Sequence, residues 1–198
     1  MSDKIVIQVE HLRKTYGSLT AVDDISFEVY EGEIFGIVGP NGAGKTTTIE
    51  CIEGLRRPDG GRISVLGLDP DRDGCSLWPR IGVQLQQSAL QERIKVREAI
   101  DLFAAIYPRS VDRKTLLEQL GLAEKADSLF CQLSGGQKQR LFVALALVND
   151  PEIVFPDEIT TGLDPQARRA MWDLIRGIRD RGKTVVLTTH FMEEAERL

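Results

Sequence analysis

The chain has 198 residues, 42% hydrophobic, 28% charged and 6% aromatic, a composition that excludes a disordered tail, a collagen-like chain and a disulfide miniprotein. It is long enough to bury a core without disulfides or a structural metal. Its 25 Lys and Arg against 30 Asp and Glu give a net charge of −5, which speaks against non-specific nucleic-acid binding.

Ile5, Ile7 and Val9 fall on one face of a strand, and Ile25, Phe27 and Val29 on another. Gly17-Ser18 joins them, which predicts an antiparallel layer. Ile34-Phe35-Gly36-Ile37-Val38 is apolar throughout, the pattern of a strand buried on both faces. A glycine-rich turn and a helix from about Lys45 to Leu55 follow. Arg62–Gly67 and Ile81–Leu85 read as further short strands. Between Gln87 and Asn149 the period becomes helical. One helix carries Ala99, Ile100, Phe103, Ala104 and Ile106, and a second carries Leu116, Leu117, Leu120 and Leu122 with Gly121 at its end. A third begins near Ser134. Glu152-Ile153-Val154-Phe155 is a buried strand, Asp164-Pro165 starts a helix that Gly182 ends, and Thr184–Thr189 is another buried strand. Strands alternating with helices predict an α/β fold with a mostly parallel sheet. The expected division is a core over residues 1–86 and 150–198, with residues 87–149 inserted as a helical lobe.

Gly39-Pro40-Asn41-Gly42-Ala43-Gly44-Lys45-Thr46 fits GxxxxGK[ST], the P-loop, with a strand before it and a helix after it. Backbone amides and the helix N-terminus suit phosphate, Lys45 suits the β- and γ-phosphates, and the Thr46 hydroxyl suits Mg²⁺. Thr47 completes the binding segment. No NKxD motif for reading guanine is present, so ATP is the expected nucleotide. Asp157 and Glu158 follow the strand Ile153–Phe155. Asp157 is expected to hold Mg²⁺ and Glu158 to act as general base on water.

Leu133-Ser134-Gly135-Gly136-Gln137 opens a helix downstream. With that element in a P-loop chain, the sequence resembles the ATP-binding subunit of an ABC transporter over all its residues. The resemblance implies a P-loop NTPase core, an N-terminal antiparallel β layer and an inserted helical subdomain. It implies that Ser134, Gly135, Gly136 and Gln137 bind the γ-phosphate held by a second subunit in a head-to-tail dimer, a homodimer. It also implies roles for Tyr16 as the residue stacked on adenine and for Gln86 at Mg²⁺ and the attacking water, with Gln84 and Gln87 as rivals. Asp164, in Thr161-Gly162-Leu163-Asp164, is implied to contact the opposite subunit, and His190 to contact the γ-phosphate. Thr160–Pro165 and Thr189–Glu196 are most similar to bacterial drug- and antibiotic-exporter ATPases.

The longest apolar run, Leu141 to Val148, is far short of the roughly 20 residues of a membrane span, so a permease partner is expected to bring a soluble, cytoplasmic chain to the inner face of the membrane. Cys51, Cys75 and Cys131 are expected to be reduced structural thiols. Two alternatives stand beside the exporter reading: an ABC-type ATPase without a membrane partner, and an ATP-binding regulatory protein with weak hydrolysis. The second arises because Pro156 and Ile159 replace the family's Leu and Pro around Asp157-Glu158, and Pro156 takes a donor out of a central strand. The chain stops at Leu198 within a helical pattern, so it is expected to be a fragment that lacks a further strand.

Overall fold

In a computed structural model, residues 4–84, 89–157, 159–191 and 197 are described. The described residues form two sheets. The first is antiparallel, in the order β2-β1-β4, from β1 (Ile5–Tyr16), β2 (Leu19–Tyr30) and β4 (Gly60–Val65). The second is parallel, in the order β3-β7-β6-β5, from β3 (Ile34–Val38), β5 (Ile81–Gln84), β6 (Ile153–Pro156) and β7 (Thr184–Thr189). Helix α1 (Lys45–Ile52) follows β3, and the short α2 (Gly74–Leu77) precedes β5. Helices α3 (Val96–Ala104), α4 (Arg113–Gln119) and α5 (Gly135–Leu147) come between β5 and β6, and α6 (Pro165–Asp180) between β6 and β7.

Alternation along the parallel strands feeds two cores. Ile153, Phe155 and Val186 join the core shared with the antiparallel layer and α1. Val154, Val185 and Leu187 point the other way, into the core built by α3 to α6. β6 and β7 are therefore apolar on both faces, as a sheet covered on both sides requires.

In β1, Val9 and Leu12 are both buried although three residues apart, a spacing that puts side chains on opposite faces of a regular strand. A register shift between them, with His11 at φ 51°, returns Leu12 to the core. Opposite, Asp24 at φ 57° accepts a hydrogen bond from His11 Nδ1 (2.7 Å).

Gly82 marks the closest approach of helix to sheet. A Cβ there would run into the Ala146 carbonyl oxygen of α5, so only glycine lets α5 lie directly on β5. The first helix of this region ends earlier than its apolar pattern suggests. α3 stops at Ala104, and Ile106, expected on its core face, is 69% exposed in the turn beyond. Among the described residues, no helix is long and apolar enough to cross a membrane. Cys51 is buried, Cys75 and Cys131 are exposed, and all three are free thiols.

Candidate nucleotide site

The parallel topology gathers the P-loop and the downstream acid at one end of the sheet. β7 lies between β3 and β6, with Ile37 paired to Thr188 and Thr188 bridged to Asp157. Gly39, the first residue of the loop, donates its amide to the Thr189 carbonyl (3.3 Å), and His190 comes next in the chain. Gly39, Asp157 and His190 therefore leave from the C-terminal ends of three neighbouring strands, where α/β sheets place their ligands.

The loop turns through Gly44 at φ 83°, the N-cap residue of α1. A side chain there would run into the Ala21 carbonyl oxygen, and without one Gly44 cannot cap the first amides of α1 from its own side chain. The helices α4, α5 and α6 differ, since Asp112, Ser134 and Asp164 cap them with side-chain oxygens. The Lys45 side chain is buried, and its Nζ donates to the carbonyls of Gly39 (2.8 Å) and Pro40 (3.0 Å), which keeps the ammonium at the loop. Thr48 closes the first turn, with Oγ1 donating to the Gly44 carbonyl (2.9 Å). An N-terminus open to an anion and a held ammonium fit a phosphate ester. The hydroxyl of Thr46 and the carboxylate of Asp157 are hard oxygen donors of the type Mg²⁺ takes.

Asp157 is 7% exposed and accepts a hydrogen bond from Thr188 Oγ1. Pro156 stands in register with Gln84, and toward β5 the ladder is unbroken, since the Gln84 carbonyl accepts from Asp157 N (3.3 Å) as in any parallel pair. Toward β7 the ladder ends at Val154–Val185 and resumes in the single bridge Asp157–Thr188, so the register is kept across a proline that has no N–H to give. Ile159 is buried in the helical core. Gln84 is buried in β5, and its Oε1 has no hydrogen-bond partner among the described residues. Gln86, Gln87 and Glu158 lie outside the described residues.

Sequence reasoning missed Glu53. It is 2% exposed at the end of α1, and burial first, then Asp157 and Glu50, push its carboxyl up to about 9. The signal was an acid inside the otherwise apolar Cys51-Ile52 end of the helix. It also missed Thr188, legible only as a hydroxyl at the end of an apolar strand.

A second group forms elsewhere. Ser134 caps α5 by accepting from Gln137 N (3.3 Å), and Gln137 Oε1 accepts in return from Ser134 N (2.9 Å). Asp164 Oδ1 accepts from the amides of Gln166 and Ala167, both at 2.9 Å. Ser134, Gly136, Gln137 and Asp164 line one shallow groove between the starts of α5 and α6, and no P-loop residue lines it. Gly135 is exposed beside it. His190 is exposed, with its ring 3.9 Å from that of Phe191, and Arg168 lies over the other aromatic ring of this pair at 4.7 Å. Tyr16 ends β1 and is 39% exposed.

Comparison with known proteins gives the family. Residues 22–161 match the model of the ABC transporter family. Nod factor export ATP-binding protein I of Paraburkholderia xenovorans (strain LB400) is 46% identical over 197 residues, which are 97% of this chain and 65% of that protein. The protein of the same name from Ralstonia nicotianae (strain ATCC BAA-1114 / GMI1000) is 45% identical, over 98% of this chain and 62% of that one. The chain thus spans less than two thirds of the length of these relatives. Among solved structures, an ABC transporter complex component from Clostridium perfringens superposes with a TM-score of 0.85 at 28% identity, covering 96% of this chain and 80% of that one. A dimeric bacterial ABC transporter cassette gives 0.81 at 31% identity, covering 96% and 90%. The resemblance drawn from the P-loop and Leu133–Gln137 is borne out: the chain belongs to the ABC transporter family, as an ATP-binding domain.

Proposed function

We propose that this chain is the ATP-binding and ATP-hydrolysing part of an ABC exporter, working through head-to-tail pairing of two such chains. The observation that carries the reading is the joining of the P-loop, Asp157 and His190 at one end of the parallel sheet, while Ser134, Gly136 and Asp164 line a separate groove. A site divided in this way is complete only when a second copy brings its Ser134 groove to the first copy's P-loop. The export names of the relatives support the transport role.

In this reading the amides of residues 42–47 and Lys45 bind the β- and γ-phosphates. Thr46, Asp157 and Gln86 would hold Mg²⁺, which when bound supplies positive charge at the transferring phosphoryl group. Thr188 orients Asp157 from within the sheet. Glu158 takes the proton of the attacking water, and His190 completes the shell around the γ-phosphate. Ser134, Gly135, Gly136 and Gln137 of the second copy offer donors at a helix N-terminus to the same phosphate. Tyr16 stacks on the adenine. Residues 87–149 form the lobe that passes motion to a permease at the inner face of the membrane.

The test is ATP turnover by the full-length protein with its permease. Lys45→Ala is expected to lower ATP affinity at least about tenfold, and Glu158→Gln to retain binding while lowering turnover about a hundredfold or more. Unchanged turnover in Glu158→Gln overturns the assignment of the base. Failure of the wild type to bind ATP overturns the reading as a whole.

A further inference from the structure

Tyr16 is an aromatic residue of the proposed site that belongs to neither hydrophobic core. What touches it is charge. The Arg56 guanidinium lies over its ring, 5.3 Å from the centroid, and the Lys14 ammonium lies at 5.7 Å. Both cations stand against the ring, which keeps 39% of its surface.

Neither cation is loose. Arg56 Nε donates to Glu50 Oε2 at 2.6 Å, and Glu50 stands on α1, the helix that starts in the P-loop. Lys14 Nζ donates to Asp59 Oδ1 at 2.8 Å. The other oxygen of Asp59 accepts from Thr15 N (2.7 Å) and Thr15 Oγ1 (2.8 Å), and Asp59 N returns a bond to the Arg13 carbonyl (2.9 Å). Three successive residues before Tyr16 are thus tied to the turn between α1 and β4. These contacts hold the Asp59 carboxyl down to about 2, so the clamp stays charged across the physiological range.

We propose that Arg56 is a positioning residue for base recognition: held by Glu50, it lies against one face of Tyr16 and presents the other face as a rigid platform for the adenine. The proposal rests on the reading of Tyr16 given above. A cation against one face of an aromatic ring fixes its orientation and draws π density toward that face. The opposite face then meets the base with the side-chain rotamer already restricted, and less freedom is lost on binding. Because Glu50 rides on the P-loop helix, platform and phosphate cradle keep one spacing.

The test uses full-length protein and measures binding of Mg-ATP and of inorganic Mg-tripolyphosphate, which has phosphates and no base. Arg56→Leu is expected to weaken ATP binding about five- to tenfold, the size of a partly desolvated cation–π contact, and to leave tripolyphosphate binding within about twofold. Arg56→Lys, which keeps a cation, is expected to recover ATP affinity to within about threefold of wild type. Equal losses for both ligands, or an ATP affinity unchanged in Arg56→Leu, overturn the proposal. If the wild type itself binds tripolyphosphate as tightly as ATP, Tyr16 is no platform and the proposal falls with it. That result differs from failure of Arg56 alone, in which wild type and variant prefer ATP equally.

Discussion

Glu53 shows how a single buried group ties stability to pH. Its carboxyl has an ordinary value of 4.5 and is raised to about 9 in the folded chain by burial, with Asp157 and Glu50 adding to the effect. Between those values the folded chain holds a proton that the unfolded chain has released. Stability therefore falls as pH rises from about 4.5 toward 9, the opposite of a salt-bridged carboxylate. Glu53→Gln keeps the shape and removes the titration. It is expected to be more stable than wild type at pH 8 by on the order of 2 kcal/mol, with the difference vanishing near pH 4.5. Urea unfolding at the two pH values measures it, and equal gains at both count against a titrating Glu53. At the same scale, Pro156 interrupts the pairing of β6 with β7, and the register resumes at Asp157. Asp157 N takes the Gln84 carbonyl, and Thr188 holds the carboxylate.

Among the elements, the contact of α5 with β5 is the least forgiving. Gly82 faces the Ala146 carbonyl, which is backbone and has no rotamer by which to retreat. Gly82→Ala is expected to cost about 3 kcal/mol or more, because α5 has to lift from the sheet. A thermal melt reads this directly, and a loss below 1 kcal/mol shows that α5 is free to move. The elements also show where pattern reading stops. The helix over 165–180 is foretold by Asp164, Pro165 and Gly182, since each acts on its own few neighbours. Ile106 follows the apolar spacing of α3 but lies past its end, because spacing says nothing of where the chain turns away. The bulge at His11 was equally hidden: the alternation from Ile5 to Val9 is local, while the shift that seats Leu12 is set by the facing strand.

For the molecule as a whole, the separation of the P-loop from the Ser134 groove has a kinetic consequence. If two copies share each site, turnover by the full-length ATPase subunit is expected to rise with the square of its concentration at low concentration and linearly once it is dimeric. ATPase rates over a hundredfold dilution, beside light scattering of the Glu158→Gln variant with ATP, check this. A linear rate throughout, with a monomer in scattering, overturns the shared site.

What the sequence by itself determined was the chemistry: the P-loop, the acids after a buried strand, the Leu133–Gln137 element and, through them, the family. These are contiguous motifs, and each works through the backbone and side chains of its own short stretch. Which residues meet was decided by the tertiary structure. Strand order set Thr188 beside Asp157, the turn after α1 carried Arg56 against Tyr16, and the core closed over Glu53. Each of these pairs joins residues distant in the chain, and their contact energies depend on distance and burial, which only the folded sheet and its two cores establish.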